Sequence, residues 1–133
     1  METVQVQTTR QTEFVDITDR VQAAIQRLGT ADGVCHVYVP HTTAAVTINE
    51  NADPTVQQDI MMALDTTAPE GQPYRHREGN SPAHIKASLI GSSVTVFVES
   101  GRLLLGTWQG IYFCEFDGPR TRRVQIRGIE HRP

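Results

Sequence analysis

From residue 94 to residue 129 the chain reads as strand after strand with no helix between them, and this constrains the fold more than any other feature. Candidate strands occupy 94–98, 102–105, 111–116 and 123–129. Ser100-Gly101, residues 107–110 and Asp117-Gly118-Pro119 supply the turns. Ahead of this run the strands alternate with blocks of helix. Residues 3–9 alternate apolar and polar as a half-buried strand does. Thr18 then reads as an N-cap, with Val21, Ala24, Ile25 and Leu28 at helical spacing until Gly29 stops the helix. Strands follow at 34–39, ended by Pro40, and at 44–48. Asp53-Pro54 and Ser81-Pro82 each combine a capping residue with proline at a helix start. Val56, Ile60 and Leu64 stripe the second helix, and the third ends near Gly91. Strand clusters with helices inserted in blocks predict an α+β fold. We expect a mainly antiparallel sandwich or barrel-like sheet with about three packed helices, in one domain spanning 1–133.

One strand carries a problem that its surroundings must solve. In 111–116, Ile111, Phe113 and Glu115 share one face while Tyr112, Cys114 and Phe116 take the other. Both faces are largely apolar, so Glu115 must be paired or must line a cavity, because burying a lone charge is prohibitive. Arg120, Arg122 and Arg123 are the candidate partners.

Composition excludes several functions. With a net charge of -3 and 6% aromatic residues, the chain has neither the basic balance nor the rings of a nucleic-acid binder. Five of its twelve basic residues fall between Arg120 and Arg132, which reads as a solvated strand face or a subunit contact. No apolar run approaches the ~20 residues that span a bilayer. Met1-Glu2-Thr3-Val4 lacks a signal peptide's basic start, so a cytoplasmic location is expected. Cys35 and Cys114, far apart and outside any CxxC, read as buried thiols. Gly101 to Gly106 lacks the lysine of a phosphate-binding loop, and GxGxxG, GxSxG and HExxH are all absent.

Chemistry-bearing residues gather where elements end. His41-Thr42-Thr43 follows Pro40, and Asn49-Glu50-Asn51-Ala52-Asp53 follows the next strand. His76 and Glu78 lie in a polar loop at 65–80, long enough to be functional or mobile. His84 falls in the first turn of the third helix. If these ends converge, three imidazoles and several carboxylates share a cleft. Such a cleft suits a divalent metal with three protein ligands and one open position, or metal-free acid–base work. The third helix start, with Ser81 at its cap, Gly79 before it and Lys86 a turn later, is a candidate anion cradle or simply a good helix start. His36, inside a strand, reads as structural, and His131 as a tail residue.

Four blocks together resemble one family: residues 40–54 (PHTTAAVTINENADP), 78–86 (EGNSPAHIK), 101–111 (GRLLLGTWQGI) and 115–120 (EFDGPR). The pattern, along nearly the whole chain, resembles the YjbQ family, labelled in places as secondary thiamine-phosphate synthases. The resemblance implies a homotrimer with pockets near its subunit interfaces. It implies a divalent metal, zinc or magnesium, at His41, His76 and His84. It adds Asn49, Glu50, Asp53, Lys86, Gln109, Glu115 and Arg120 as pocket residues. The activity it implies is a transfer joining a pyrimidine diphosphate to a thiazole phosphate.

The expected function is therefore that of an enzyme acting on a small phosphorylated metabolite. His41, His76 and His84 would hold the metal, Glu50 or Glu115 would act as base, and Ser81, Lys86 and Arg120 would hold phosphate. The competing expectations are a homotrimeric binding or regulatory module that senses such a metabolite, and a metal-dependent phosphoester hydrolase.

Overall fold

The structure, a computed structural model, describes residues 1–132. Its elements run β1 (Glu2–Gln7), β2 (Glu13–Asp16), α1 (Thr18–Leu28), β3 (Gly33–Tyr38), β4 (Ala44–Glu50), α2 (Thr55–Thr67), α3 (Ser81–Ile90), β5 (Ser93–Glu99), β6 (Arg102–Leu103), β7 (Gln109–Glu115) and β8 (Thr121–Glu130). They build two antiparallel sheets, one of five strands in the order β1-β8-β3-β5-β6 and one of three in the order β2-β7-β4. The α+β reading and the three helices stand. No helix among the described residues is long and apolar enough to cross a membrane.

The layers follow from side-chain alternation. Val4 and Val6 of β1, Cys35 and Val37 of β3, Val96 and Val98 of β5, and Val124 and Ile126 of β8 point into one cluster. They meet Ile111 and Phe113 of β7, Ala44 and Val46 of β4, and the Val21, Ala24 and Ile25 face of α1. The reverse face of the three-stranded sheet forms a second cluster, where Ala45, Tyr112, Cys114 and Phe116 pack on Leu64 of α2 and on Ala83 and Ala87 of α3. This double cover explains β7. Six of its seven residues are buried, because both of its faces are packed and both of its edges are bonded, to β2 and to β4. The outer face of the five-stranded sheet has no such cover and leaves Tyr38, Phe97, Leu104 and Ile129 exposed.

Local starts and stops differ from the sequence expectation in instructive ways. Thr18 does not cap α1. Asp16 Oδ1 accepts both its N–H (2.9 Å) and its hydroxyl (2.6 Å), and Thr18 Oγ1 accepts the Ile111 N–H at 2.9 Å, stitching α1 to β7. Gly29 ends α1 in a left-handed conformation (φ 73°), its N–H reaching the Ile25 and Gln26 carbonyls. Helix α2 continues to Thr67, three residues past the last apolar position of its stripe, so the loop shortens to 68–80. The strand expected at 102–105 pairs only over Arg102 and Leu103, and β2 was not foreseen. Cys35 and Cys114 are buried free thiols in different clusters, and burial pushes the Cys35 thiol up to about 11. His36 is structural, its Nδ1 hydrogen-bonded to Thr95 Oγ1 at 2.9 Å.

Candidate functional site

The histidines converge because α3 packs beside β4. The Val46 N–H donates to the Gly91 carbonyl just beyond α3 (3.1 Å), and the Val39 N–H donates to the Ser92 carbonyl (2.8 Å). These bonds draw the segment after β3 against the helix. As a result His41 and His84, 43 positions apart in sequence, line one cavity of about 470 Å³ with Thr42, Ala44, Ala87, Ser88, Gly91 and Ser92. His84 also borders a neighbouring hollow with Tyr74, Arg75, His76 and Ser81. The rings of His76 and His84 meet edge to face, 5.3 Å between centroids. Glu78 lies loosely beside them, its Oε1 3.9 Å from His76 Nε2.

His41 is oriented by the backbone. The Arg123 N–H donates to its Nε2 at 3.0 Å, which requires an unprotonated Nε2 and leaves Nδ1 to carry the proton of the neutral ring. Partial burial, then the charges of Arg122 and Arg123, hold its pKa below the ordinary 6.5. The folded chain thus favours the neutral ring, and the unfolded chain takes up a proton first as pH falls. This group therefore stabilises the fold above pH 6.5 and loses that contribution as the solution is acidified through the lower folded value. A histidine NMR titration should return a His41 midpoint below 6.5. A midpoint at or above 6.5 would contradict the assigned tautomer.

A metal at three imidazoles does not fit a single chain as it stands. Among the described residues no three His, Cys, Asp or Glu side chains come together as a metal-holding group. His76 and His84 are neighbours, but His41 turns Nε2 to the Arg123 backbone and presents a protonated Nδ1. The histidines expected as ligands divide into a pair and a separate hydrogen-bond donor.

The anion cradle expected at Ser81 is also not built. Pro82 has no N–H, and the Ala83 and His84 N–H groups both turn back to the Asn80 carbonyl (3.1 and 3.4 Å). Asn80 donates through Nδ2 to Asp117 Oδ2 (2.9 Å), and its Oδ1 is a buried acceptor without a partner, which disfavours an anion nearby. Lys86 is buried on the opposite side of α3 from His84 and is spent on an ion pair with Asp65 of α2.

The carboxylates fare likewise. Glu115 is fully buried and receives Arg122 Nε (2.9 Å), Arg122 Nη2 (2.5 Å), the Thr8 hydroxyl (2.8 Å) and the Asp117 N–H (3.0 Å). Burial alone would raise its pKa, but the Arg122, Asp117 and Thr8 hydrogen bonds outweigh it and bring the carboxyl below 4.5. It is a structural anion and no base. Its partner among the three candidate arginines is Arg122. Arg120 instead pairs with Asp117, through Nη2 to Oδ2 (2.8 Å) and Nε to the carbonyl (2.7 Å).

The remaining candidates lie elsewhere. In the β4–β7 ladder Ala44 faces Glu115 and Glu50 faces Gln109. At ~3.3 Å per residue the two ends are about 20 Å apart. Asn49, Glu50, Asp53 and Gln109 therefore sit at the end remote from His41. There they hold turns: Asn49 Oδ1 accepts the Glu50 N–H (2.7 Å), Asp53 Oδ1 accepts Thr55 (2.9 and 2.7 Å), and Gln109 Oε1 accepts the Gly106 N–H (2.7 Å). Ser88 and Ser92 of the shared cavity were missed. Ser88, one helical turn beyond His84, was within reach of helix arithmetic.

Comparisons agree with this architecture. A solved structure of a conserved uncharacterised YjbQ/UPF0047 protein from Clostridium acetobutylicum superposes with a TM-score of 0.94 and 52% identity, covering 97% of this chain and all of that one. A protein of unknown function from Sulfolobus solfataricus gives 0.93 at 32% identity, covering 98% and 96%. The UPF0047 protein YugU of Bacillus subtilis is 53% identical over 128 residues, 96% of this chain and 97% of YugU. The UPF0047 protein YjbQ of Salmonella typhimurium is 40% identical over 119 residues, 84% and 86% of the two chains. The model of the UPF0047 protein YjbQ-like family matches residues 2–131, and the chain belongs to that family.

Proposed function

We propose that the chain is an enzyme acting on a small phosphorylated molecule in the cavity between His41 and His84, a transferase of the thiamine-phosphate synthase type. The observation that carries this reading is the shared cavity itself: two imidazoles from separate elements, with the Thr42, Ser88 and Ser92 hydroxyls around them. In the transfer, the carbon–oxygen bond to the diphosphate breaks and pyrophosphate leaves with the electron pair. The thiazole nitrogen forms its bond to the same carbon. The leaving group gathers charge and needs donors more than it needs a base. Neutral His41 offers Nδ1–H for this. His84, whose ring has no hydrogen-bond partner among the described residues, serves as proton donor or acceptor on the other side.

A divalent metal, zinc or magnesium, joins this reading only with a ligand from a neighbouring copy of the chain, and no step depends on it. We take the assembly to be a homotrimer, and the uncovered face carrying Phe97, Leu104 and Ile129 offers it apolar surface. Light scattering should then return three times the 14.8 kDa chain mass.

A metabolite sensor is the second reading. It is favoured by the distance of Glu50 and the saturation of Glu115, which leave the cavity without a carboxylate base. The two separate in one experiment: incubation with a pyrimidine diphosphate and a thiazole phosphate, alongside a panel of phosphorylated metabolites, followed by phosphorus NMR. Released pyrophosphate or another product supports the enzyme. Saturable binding with the ligand recovered intact supports the sensor, and neither result removes both.

A further inference from the structure

His41 has a second cavity on its other side. This space of about 490 Å³ is lined by Tyr38, Pro40, Thr42, Thr43, Arg120 and Arg122 together with His41. No carboxylate lines it. Arg122 is 4% exposed, and its Nε and Nη2 are consumed by Glu115 and Thr43. Its Nη1 donates to no protein atom among the described residues. Nor is that atom sealed in: among the described residues, the single buried side-chain polar atom without a partner is Asn80 Oδ1. A guanidinium fixed on two sides by buried partners thus lines this cavity while keeping one unsatisfied pair of N–H groups. Arg120, half exposed at the mouth, is held by Asp117 through Nε and Nη2 and keeps Nη1 for another partner. Around His41 three guanidiniums, those of Arg120, Arg122 and Arg123, stand against two carboxylates, Glu115 and Asp117. The surplus is cationic, and the Thr42 and Tyr38 hydroxyls can add donors.

We propose that this second cavity is an oxyanion subsite that takes a phosphate or diphosphate group, with Arg122 Nη1 as the fixed donor at its base and Arg120 as the donor at its mouth. It rests on the reading of the chain as handling phosphorylated compounds, and names where that group is held. A preformed, doubly anchored guanidinium suits this task because its orientation is already set before the anion arrives. The subsite also accounts for phosphate recognition without Lys86, whose ammonium is spent on Asp65.

The test is titration of isotope-labelled protein with inorganic phosphate and with pyrophosphate at constant ionic strength, with chloride as the control salt, read by nitrogen–proton NMR. Saturable shifts centred on Thr42, Thr43, Arg120 and Arg122, with affinity in Arg120→Gln weakened tenfold or more, are expected. Unsaturable shifts equal to those in chloride would overturn the subsite, as would unchanged affinity in Arg120→Gln. Should that variant fail to fold, the shift map on the unaltered chain decides alone. Saturable shifts centred on 81–85 would also remove the subsite, yet leave the phosphorylated-substrate reading intact. Binding mapped to this cavity with no turnover of any phosphorylated compound would keep the subsite and remove the enzyme.

Discussion

Arg122→Met is expected to cost about 3–5 kcal/mol of folding stability, the range for stranding one member of a buried ion pair. The reason lies in what remains. Glu115, fully buried, would keep only the Thr8 hydroxyl and the Asp117 N–H as partners for a full negative charge. Thr43 would also lose a hydrogen bond from the guanidinium. Against a typical total of about 5–15 kcal/mol, that is a large fraction. The double variant Glu115→Leu/Arg122→Met should recover much of the loss, because an apolar pair of similar volume no longer needs neutralising. It should not recover all of it, since the Asp117 N–H would be left without its acceptor, at about 1–3 kcal/mol, while the Thr8 hydroxyl keeps the Arg120 carbonyl. Urea unfolding at fixed protein concentration measures all three chains. A single-variant cost below about 1 kcal/mol, or a double variant worse than the single one, would contradict the assignment. The pair also predicts acid sensitivity. Glu115 titrates below 4.5 when folded, so its contribution is complete above 4.5 and disappears as pH falls through the lower folded value.

The second large effect concerns turnover. His84→Ala should lower the rate on whichever phosphorylated substrate is found by about 10²–10⁴-fold, the usual share of one positioned acid–base group. Stability should change little, because the His84 ring is only half-buried and supports no hydrogen bond among the described residues. Circular dichroism and the unfolding midpoint provide that control. A loss below tenfold would take His84 out of the chemistry. The pH profile separates a titrating role from a merely spatial one, since a group that donates or accepts a proton leaves an ionisation in the rate that disappears with it.

Much of this molecule was legible before any coordinates, and the misreadings have physical reasons. The demand that Glu115 find a partner came from the two apolar faces of its strand. Parity of β8, where Val124 and Ile126 face inward and Arg123 does not, singles out Arg122 over Arg123. Arg120 has the same parity but drops out because it precedes the strand and is held by Asp117. Lys86 was misassigned for want of helix arithmetic: two residues from His84 is about 200° around a helix, away from the cavity that His84 and Ala87 line. Strand length alone separated Glu50 and Gln109 from His41. By contrast, nothing local announced that His41 and His84 would share a cavity. That depends on α3 docking against β4, a long-range contact written in no single segment. The short strand β2 escaped because four partly exposed residues carry too little alternation to stand out.

A strand packed on both faces has lost the usual means of choosing its alignment. Where one side is wet, a slip by one position exposes the apolar set and is penalised at once. In β7 such a slip would exchange Ile111 and Phe113 for Tyr112 and Cys114 with little change in greasy surface. What the slip would move into hostile surroundings is a single anion, carried from the arginine into a layer of alanine, leucine and aromatic rings. The one charge in that strand thus acts as its index mark.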